Sequence, residues 1–253
     1  MHAAVPWWRQ ALAGVRAILP SDCPLCGGAA RAGALCPGCR HDALGLGGRR
    51  AAAVARCRWC AVRLQPGQGC ADCLVRVAAY DAVIVAADYA PPLNALVRRA
   101  KQSRRPGPAL ALGELLADAV ARDADGLPPD TWLVPVPGSR ARLQARGFNP
   151  AREIARSLGE YLDLPVMTGL LVPVQEDGRR QHALARADRL ARDRGRFQAT
   201  RGLAGQPVAI VDDVMTTGST FEAAARALRE AGADPVHALA VARTPPPGAH
   251  FPS

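Results

Sequence analysis

No apolar run in these 253 residues is long enough to cross a bilayer, so no membrane-spanning helix is expected among them. Lysine is nearly absent, and the 32 basic residues, set against 22 acidic ones, are overwhelmingly arginine. A guanidinium matches planar, doubly hydrogen-bonded anions, so this balance favours phosphorylated small molecules or nucleic acid as ligands. Arg9 and Arg16 interrupt the only apolar stretch near the N-terminus and no cleavage signature follows, so no secretory leader is expected. The expected location is the reducing cytoplasm. Cysteine is missing beyond residue 73.

What cysteine there is forms a pattern. The eight residues make four C-x-x-C pairs: Cys23/Cys26, Cys36/Cys39, Cys57/Cys60 and Cys70/Cys73. Nine residues separate the first two pairs and nine the last two, an internal repeat with an offset of 34 residues. In a reducing compartment such doubling points to two four-thiolate zinc sites, structural because four thiolates leave no open coordination position. A glycine-rich, core-poor segment of this kind needs the roughly 10–16 kcal/mol that a structural zinc supplies. The 17 residues between Cys39 and Cys57 leave the pairing open: sequential, nested and cross-braced sets all fit. His41 is a nearby bystander.

The chemistry-bearing stretch is Val208-Ala209-Ile210-Val211-Asp212-Asp213-Val214-Met215-Thr216-Thr217-Gly218-Ser219-Thr220. Four apolar residues suit a strand buried on both faces, here over 208–211, and a helix is expected over 220–231, ended by Gly232. Thr216, Thr217, Gly218, Ser219 and Thr220 therefore lie where a strand hands over to a helix, with unpaired N–H groups and the positive end of the helix dipole facing outward. A phosphate suits that position. Gly218 permits close approach of the main chain, and the absence of lysine excludes a Walker loop. Asp212 and Asp213 would repel a phosphate unless they faced donors such as vicinal sugar hydroxyls, each bond contributing on the order of 1.5–3 kcal/mol. The pattern reads as a sugar-phosphate site.

At these residues the chain resembles the phosphoribosyl-pyrophosphate signature of type I phosphoribosyltransferases. Leu133-Val134-Pro135-Val136-Pro137, Arg140, Arg142, the run Arg146-Gly147-Phe148-Asn149 and the cysteine-rich N-terminal part narrow the resemblance to the ComF family of phosphoribosyltransferase-like proteins. The resemblance implies phosphoribosyl pyrophosphate as ligand, magnesium carried with it, and displacement at the anomeric carbon. Asp212, Asp213 and Arg140 would take the catalytic roles, Arg140 stabilising the charge that develops on the leaving pyrophosphate. Pro137, Gly138 and Ser139 would hold pyrophosphate, as a Pro-Val-Pro loop does in the related amidophosphoribosyltransferases. Lys101 matches a family lysine. Purine-salvage members place an aspartate where this chain has Thr216, which argues against a purine acceptor. The family is associated with DNA uptake, so single-stranded DNA or DNA-processing proteins are the alternative partners, and Arg98, Arg99, Lys101, Arg104 and Arg105 form a basic cluster suited to them.

Four segments are expected: an N-terminal helix within 1–20 carrying Trp7 and Trp8, a double zinc module over 21–77, a phosphoribosyltransferase-like domain over 78–243 and a disordered Pro-rich tail over 244–253. Strands are expected over 82–87, 131–136, 208–211 and 236–241, and helices over 92–100, 109–122 and 151–162, the last with Asn149 as cap and Pro150 at its first position. Alternation of strand and helix gives an α/β fold, a parallel sheet covered on both faces with ligands at its carboxyl edge. The basic segment over 179–201, with Gln181 and Arg186 to Arg189 resembling the family pattern and Arg192 replacing a usual Asn, would be the mobile hood over the site.

Overall fold

The computed structural model describes residues 20–31, 35–46, 55–65, 67, 69–74, 78–174 and 196–245. The expected N-terminal helix with Trp7 and Trp8, the middle of the basic segment including Gln181, Arg186 and Arg189, and the end of the tail lie outside the described residues.

The centre is a parallel sheet of β3 (Ala82–Asp88), β4 (Trp132–Pro135), β7 (Val208–Met215) and β8 (Val236–Arg243), in the order β3-β8-β7-β4. Side chains alternate along each strand, so the apolar run of β7 supplies both faces. Ala209 and Val211 join Leu133, Leu239 and Val241 against α3 (Leu93–Gln102), α4 (Gly107–Arg122) and α6 (Pro150–Leu162). Val208 and Ile210 join Val134, Val236 and Ala238 against α7 (Ser219–Glu230). A short hairpin of β5 (Leu171–Pro173) and β6 (Phe197–Ala199) packs on the α7 side through Leu171 and Phe197.

Within the described residues the expected strands and helices are present, with their ends moved by a few residues. Asn149 caps α6 as expected, its Oδ1 accepting the Ala151 N–H at 3.2 Å, with Pro150 in the first turn. Three features differ from the sequence expectations. β7 runs on through both aspartates to Met215, because Asp212 and Val214 stay in register with Ala240 and Ala242 of β8. Arg140–Arg146, where no element is expected, forms the helix α5, with Ser139 as its cap and Gly147 ending it at φ 82°. The β5–β6 hairpin has no counterpart among the expected strands.

The cysteines gather as Cys23, Cys26, Cys36 and Cys39, and as Cys57, Cys60, Cys70 and Cys73, which selects the sequential pairing. The 34-residue repeat is visible in the main chain. Cys23 N–H donates to Gly28 and Gly27 N–H to Cys23; Cys57 and Ala61 make the same bonds to Val62 and Cys57. Gly27 at φ 75° has Ala61 at φ 55° as its counterpart, both in the left-handed region that such a knuckle requires. The first module carries β1 (Pro20–Asp22), β2 (Ala29–Arg31) and α1 (Pro37–Ala43), and the second carries α2 (Ala71–Leu74).

Each module is fixed to a different part of the sheet domain. Arg40 of the first makes two hydrogen bonds to Asp118 of α4, at 2.7 and 2.5 Å, while Arg99 of α3 donates to the carbonyls of Pro24 and Leu25. In the second, Arg56 and Arg63 both pair with Asp88 at the end of β3, and Val83 N–H of β3 donates to Arg58 at 2.8 Å.

Candidate phosphoribosyl site and metal centres

Because β4 and β7 are adjacent and parallel, their carboxyl ends open on one edge of the sheet. Val136 N–H still donates to Val211 at 2.9 Å, and beyond it the chain enters Pro137, Gly138 and Ser139. Asn149 Nδ2 donates to the Val136 carbonyl at 2.8 Å, tying the start of α6 to this loop. Gly138, Ser139 and Arg140 are exposed, and the Ser139 hydroxyl accepts the Arg142 N–H at 3.4 Å.

The neighbouring strand carries the two aspartates side by side, both half-buried. Asp213 meets Lys101 Nζ at the end of α3 at 3.1 Å, with the carboxylate 13% and the ammonium 37% exposed. Two residues singled out separately in the sequence are thus brought together. Asp212 Oδ1 accepts the Asp213 N–H at 2.8 Å. Loss of hydration, and next the charge of Asp213, push the Asp212 carboxyl up to about 7, against the opposing pull of that N–H, Lys101 and Arg196. An added pair of sugar hydroxyls would favour the ionised form.

The loop that follows has the shape of an anion cradle. Thr216 and Thr217 are exposed, and Gly218 caps α7 in the left-handed conformation at φ 81°. Thr217 Oγ1 accepts the Ser219 N–H at 3.4 Å and lies 3.2 Å from Ser219 Oγ, while Arg196 Nη1 donates to Thr220 Oγ1 at 3.4 Å. Arg196, at the foot of the basic segment, therefore reaches the expected phosphate loop. The first-turn N–H groups of α7 lie at this same end of the helix.

Three residues that sequence reading passed over complete the surroundings. Tyr80 donates its hydroxyl to the Trp59 carbonyl at 2.7 Å, and that hydroxyl would lie 3.4 Å from a Cβ at Gly218. Buried Arg243 donates to Cys60 at 2.6 Å and to Thr216 at 2.5 Å. Glu222 accepts the Ala79 N–H at 3.0 Å and holds α7 to the start of the sheet domain. Only Arg243 left a trace in sequence, a charge closing a strand whose one other polar residue is His237.

In each cysteine cluster the ligand sulfurs lie within 4.8 Å of one another. Four sulfurs about 2.3 Å from a zinc ion stand about 3.8 Å apart at the corners of a tetrahedron. Cys26 and Cys36 are 3.8 Å apart, Cys60 and Cys70 3.6 Å, so the donor set fits zinc in type, number and spacing. Burial pushes the Cys39 and Cys73 thiols well up, and their neighbouring cysteines add to it. Cys23 goes the other way, to about 6, because N–H donors from Cys26, Cys36 and Leu25 outweigh its burial. With all four cysteines of a cluster deprotonated, a dication between them would offset their mutual repulsion.

Comparison with known proteins agrees with this architecture. Residues 143–248 match the model of the phosphoribosyl transferase domain. The DNA utilization protein YhgH of Salmonella typhi is 33% identical over 181 residues, covering 71% of this chain and 79% of that protein. The chain belongs to the ComF family. Competence protein F of Haemophilus influenzae, another ComF relative, is 29% identical over 221 residues, 83% of this chain and 90% of its own. Among solved structures, the glutamine phosphoribosylpyrophosphate amidotransferase from B. subtilis complexed with ADP and GMP matches at 26% identity, covering 52% of this chain and 25% of that one with a TM-score of 0.37. This ComF chain thus carries a phosphoribosyltransferase-like parallel sheet with two four-cysteine clusters beside it.

Proposed function

We propose that this ComF protein binds phosphoribosyl pyrophosphate with magnesium and transfers its phosphoribosyl group to an acceptor. The observation that carries the reading is the junction of β7 and α7. Two carboxylates lie near the end of the paired strand, a left-handed glycine turns the chain beyond it, and hydroxyl-lined N–H groups follow, all on the edge where Pro137, Gly138, Ser139 and Arg140 emerge.

In this reading Thr216, Thr217, Gly218, Ser219 and Thr220 hold the 5-phosphate, and Asp212 and Asp213 accept the ribose hydroxyls. Lys101 and Arg140 face the pyrophosphate. Magnesium carried with the pyrophosphate would supply partial neutralisation of its charge. The bond from the anomeric carbon to the pyrophosphate oxygen breaks and a bond to the nucleophile forms on the opposite face. The electron pair leaves with the pyrophosphate, and Arg140 stabilises it there. The cysteine clusters bind two zinc ions with no catalytic share.

Calorimetry with phosphoribosyl pyrophosphate and magnesium tests the ligand, comparing the unaltered chain with the double variant Asp212→Ala, Asp213→Ala. Binding by the first and at least a tenfold loss in the second is expected. Equal and negligible heat from both rejects the proposal.

A second reading, single-stranded DNA bound by the basic cluster, draws on the names of the relatives and on the exposure of Arg98, Arg104 and Arg105. Lys101 and Arg99 are engaged with Asp213 and with the first cysteine module, which leaves three of the five charges for a phosphate backbone. Affinity that falls steeply with salt, and further after replacing those three arginines, supports this reading; affinity indifferent to both rejects it.

A further inference from the structure

The second cysteine module and the loop read above as the phosphate cradle share one side chain. Arg243 closes β8, is 8% exposed, and spans the interval between them. Its Nε donates to the Cys60 carbonyl at 2.6 Å, within the second cluster. Its Nη1 donates to Thr216 at 2.5 Å, to Met215 at 3.2 Å and to Thr244. The Thr244 N–H returns to Met215 at 3.0 Å, so the carbonyls that open the loop are gripped by side chain and main chain together.

A trans peptide sets its N–H opposite its C=O. Carbonyls of Met215 and Thr216 drawn toward Arg243 therefore aim the N–H groups of Thr216 and Thr217 away from it, outward from the sheet edge. Tyr80 adds a second link, its hydroxyl donating to Trp59 of the same knuckle while lying against Gly218. Trp59, Cys60, Cys73, Tyr80, Met215 and Thr217 line one small cleft between knuckle and loop. Cys60 is also a member of the second four-cysteine cluster, whose arrangement a bound metal ion would hold in place.

We propose that Arg243 is a positioning residue that couples metal occupancy of the second cysteine cluster to the orientation of the loop amides, so that loss of this metal switches off anion binding at the site. The ligand half of this rests on the phosphate-cradle reading, but the coupling does not.

Hydrogen exchange on the full-length, zinc-loaded chain, read on peptides covering 212–222, tests the coupling without any ligand, and titration with ribose 5-phosphate tests its consequence. In Arg243→Met, faster exchange in 214–219 is expected, with zinc content unchanged and protection of β7 before Asp212 retained. Ribose 5-phosphate should bind about 10- to 100-fold more weakly, the loss of one or two charge-assisted contacts, with part of the affinity restored in Arg243→Lys. Cys70→Ser with Cys73→Ser should lose one zinc ion and accelerate the same peptides, and should add nothing when combined with Arg243→Met. Should Arg243→Met fail to fold, the cysteine pair alone decides. Exchange in 214–219 that is unchanged in the cysteine pair, or affinity that stays at the unaltered level in Arg243→Met, overturns the coupling. Faster exchange together with no binding of ribose 5-phosphate by the unaltered chain upholds the coupling and removes the phosphate reading.

Discussion

Replacing Gly218 by alanine sets two measurable quantities against each other. Gly218 sits at φ 81° and ψ 0° at the start of α7, and an added Cβ would stand 3.4 Å from the Tyr80 hydroxyl, ordinary van der Waals contact. The cost is therefore conformational and not steric. A left-handed L-residue costs about 1–2 kcal/mol, and the stiffer unfolded chain returns about 0.4–1 kcal/mol. A net loss of about 1 kcal/mol lowers the melting temperature by roughly 2–4 °C in a protein of this size. The loop can avoid that loss by relaxing to negative φ, but the amides on either side then rotate. Each charge-assisted bond given up costs about 1.5–3 kcal/mol, so affinity for a phosphorylated ribose would fall about 10- to 100-fold. Melting measured by scanning calorimetry and affinity measured by titration should show that at least one of the two moves. A variant with both at their unaltered values refutes the claim that the left-handed turn at Gly218 shapes the anion site.

The other expectations follow from equally local geometry. Gly113→Ala in α4 would place a Cβ 2.5 Å from Ser157 Cβ and 2.7 Å from the Ile154 carbonyl of α6, and would disturb the 2.8 Å bond from Ser157 Oγ to Leu110. Chemical denaturation should show a loss of about 3 kcal/mol, opposite in sign to the usual gain for Gly→Ala in a helix, and a gain would show that α4 and α6 do not cross so closely. Asp212, held up to about 7 by its burial and next by Asp213, accepts sugar hydroxyls most strongly when ionised, so affinity should climb as pH rises through about 7 and level off above it. The ligand's own phosphate also titrates, near 6, and Asp212→Asn separates the two: it should bind weakly and lose the component centred near 7. The same raised value means the folded state holds its proton more tightly than the unfolded one. The ligand-free protein therefore gains stability as pH falls from about 7 toward the ordinary carboxylate range, and that gain is absent in Asp212→Asn. Metal analysis should find two zinc ions per chain, and one after Cys23→Ser with Cys26→Ser; a value of two in that variant would break the sequential assignment.

Much of this could be read from residues alone because the relevant physics is local. Four apolar residues before Asp212 mark a strand buried on both faces, Asn149 and Pro150 announce a helix start, and four C-x-x-C pairs at a fixed offset specify two metal sites. What escaped depends on partners distant in the chain. β7 continues past Val211 because β8 still offers backbone pairing to Asp212 and Val214, something no periodicity in 212–215 encodes. α5 has an exposed Leu143 among arginines and no buried residue, so it lacks an apolar stripe to find. β5 and β6 are three residues each and join across a wide sequence gap. The pairing of Lys101 with Asp213, and of Arg243 with Cys60, joins residues more than a hundred positions apart.

The placement of the second module also answers a difficulty of the sheet itself. In the order β3-β8-β7-β4 the outer strands are β3 and β4, and an open parallel edge presents unpaired N–H and C=O groups to any passing strand. β4 is covered from within the sheet domain: Leu133 N–H donates to Pro165 at 2.9 Å and Met167 N–H to Leu133 at 2.8 Å. β3 is covered by the knuckle, where Val83 N–H meets Arg58 and the carboxylate of Asp88, 7% exposed, is paired by Arg56 and Arg63. Removing either arginine leaves the other to hold the charge; removing both strands a buried carboxylate, which costs several kcal/mol. The module is thus tied to the sheet by a buried charge on one side and to the loop by Arg243 on the other. On the proposed coupling, a second cluster without metal would expose the β3 edge and loosen the loop together, so losing it should cost more than losing the first.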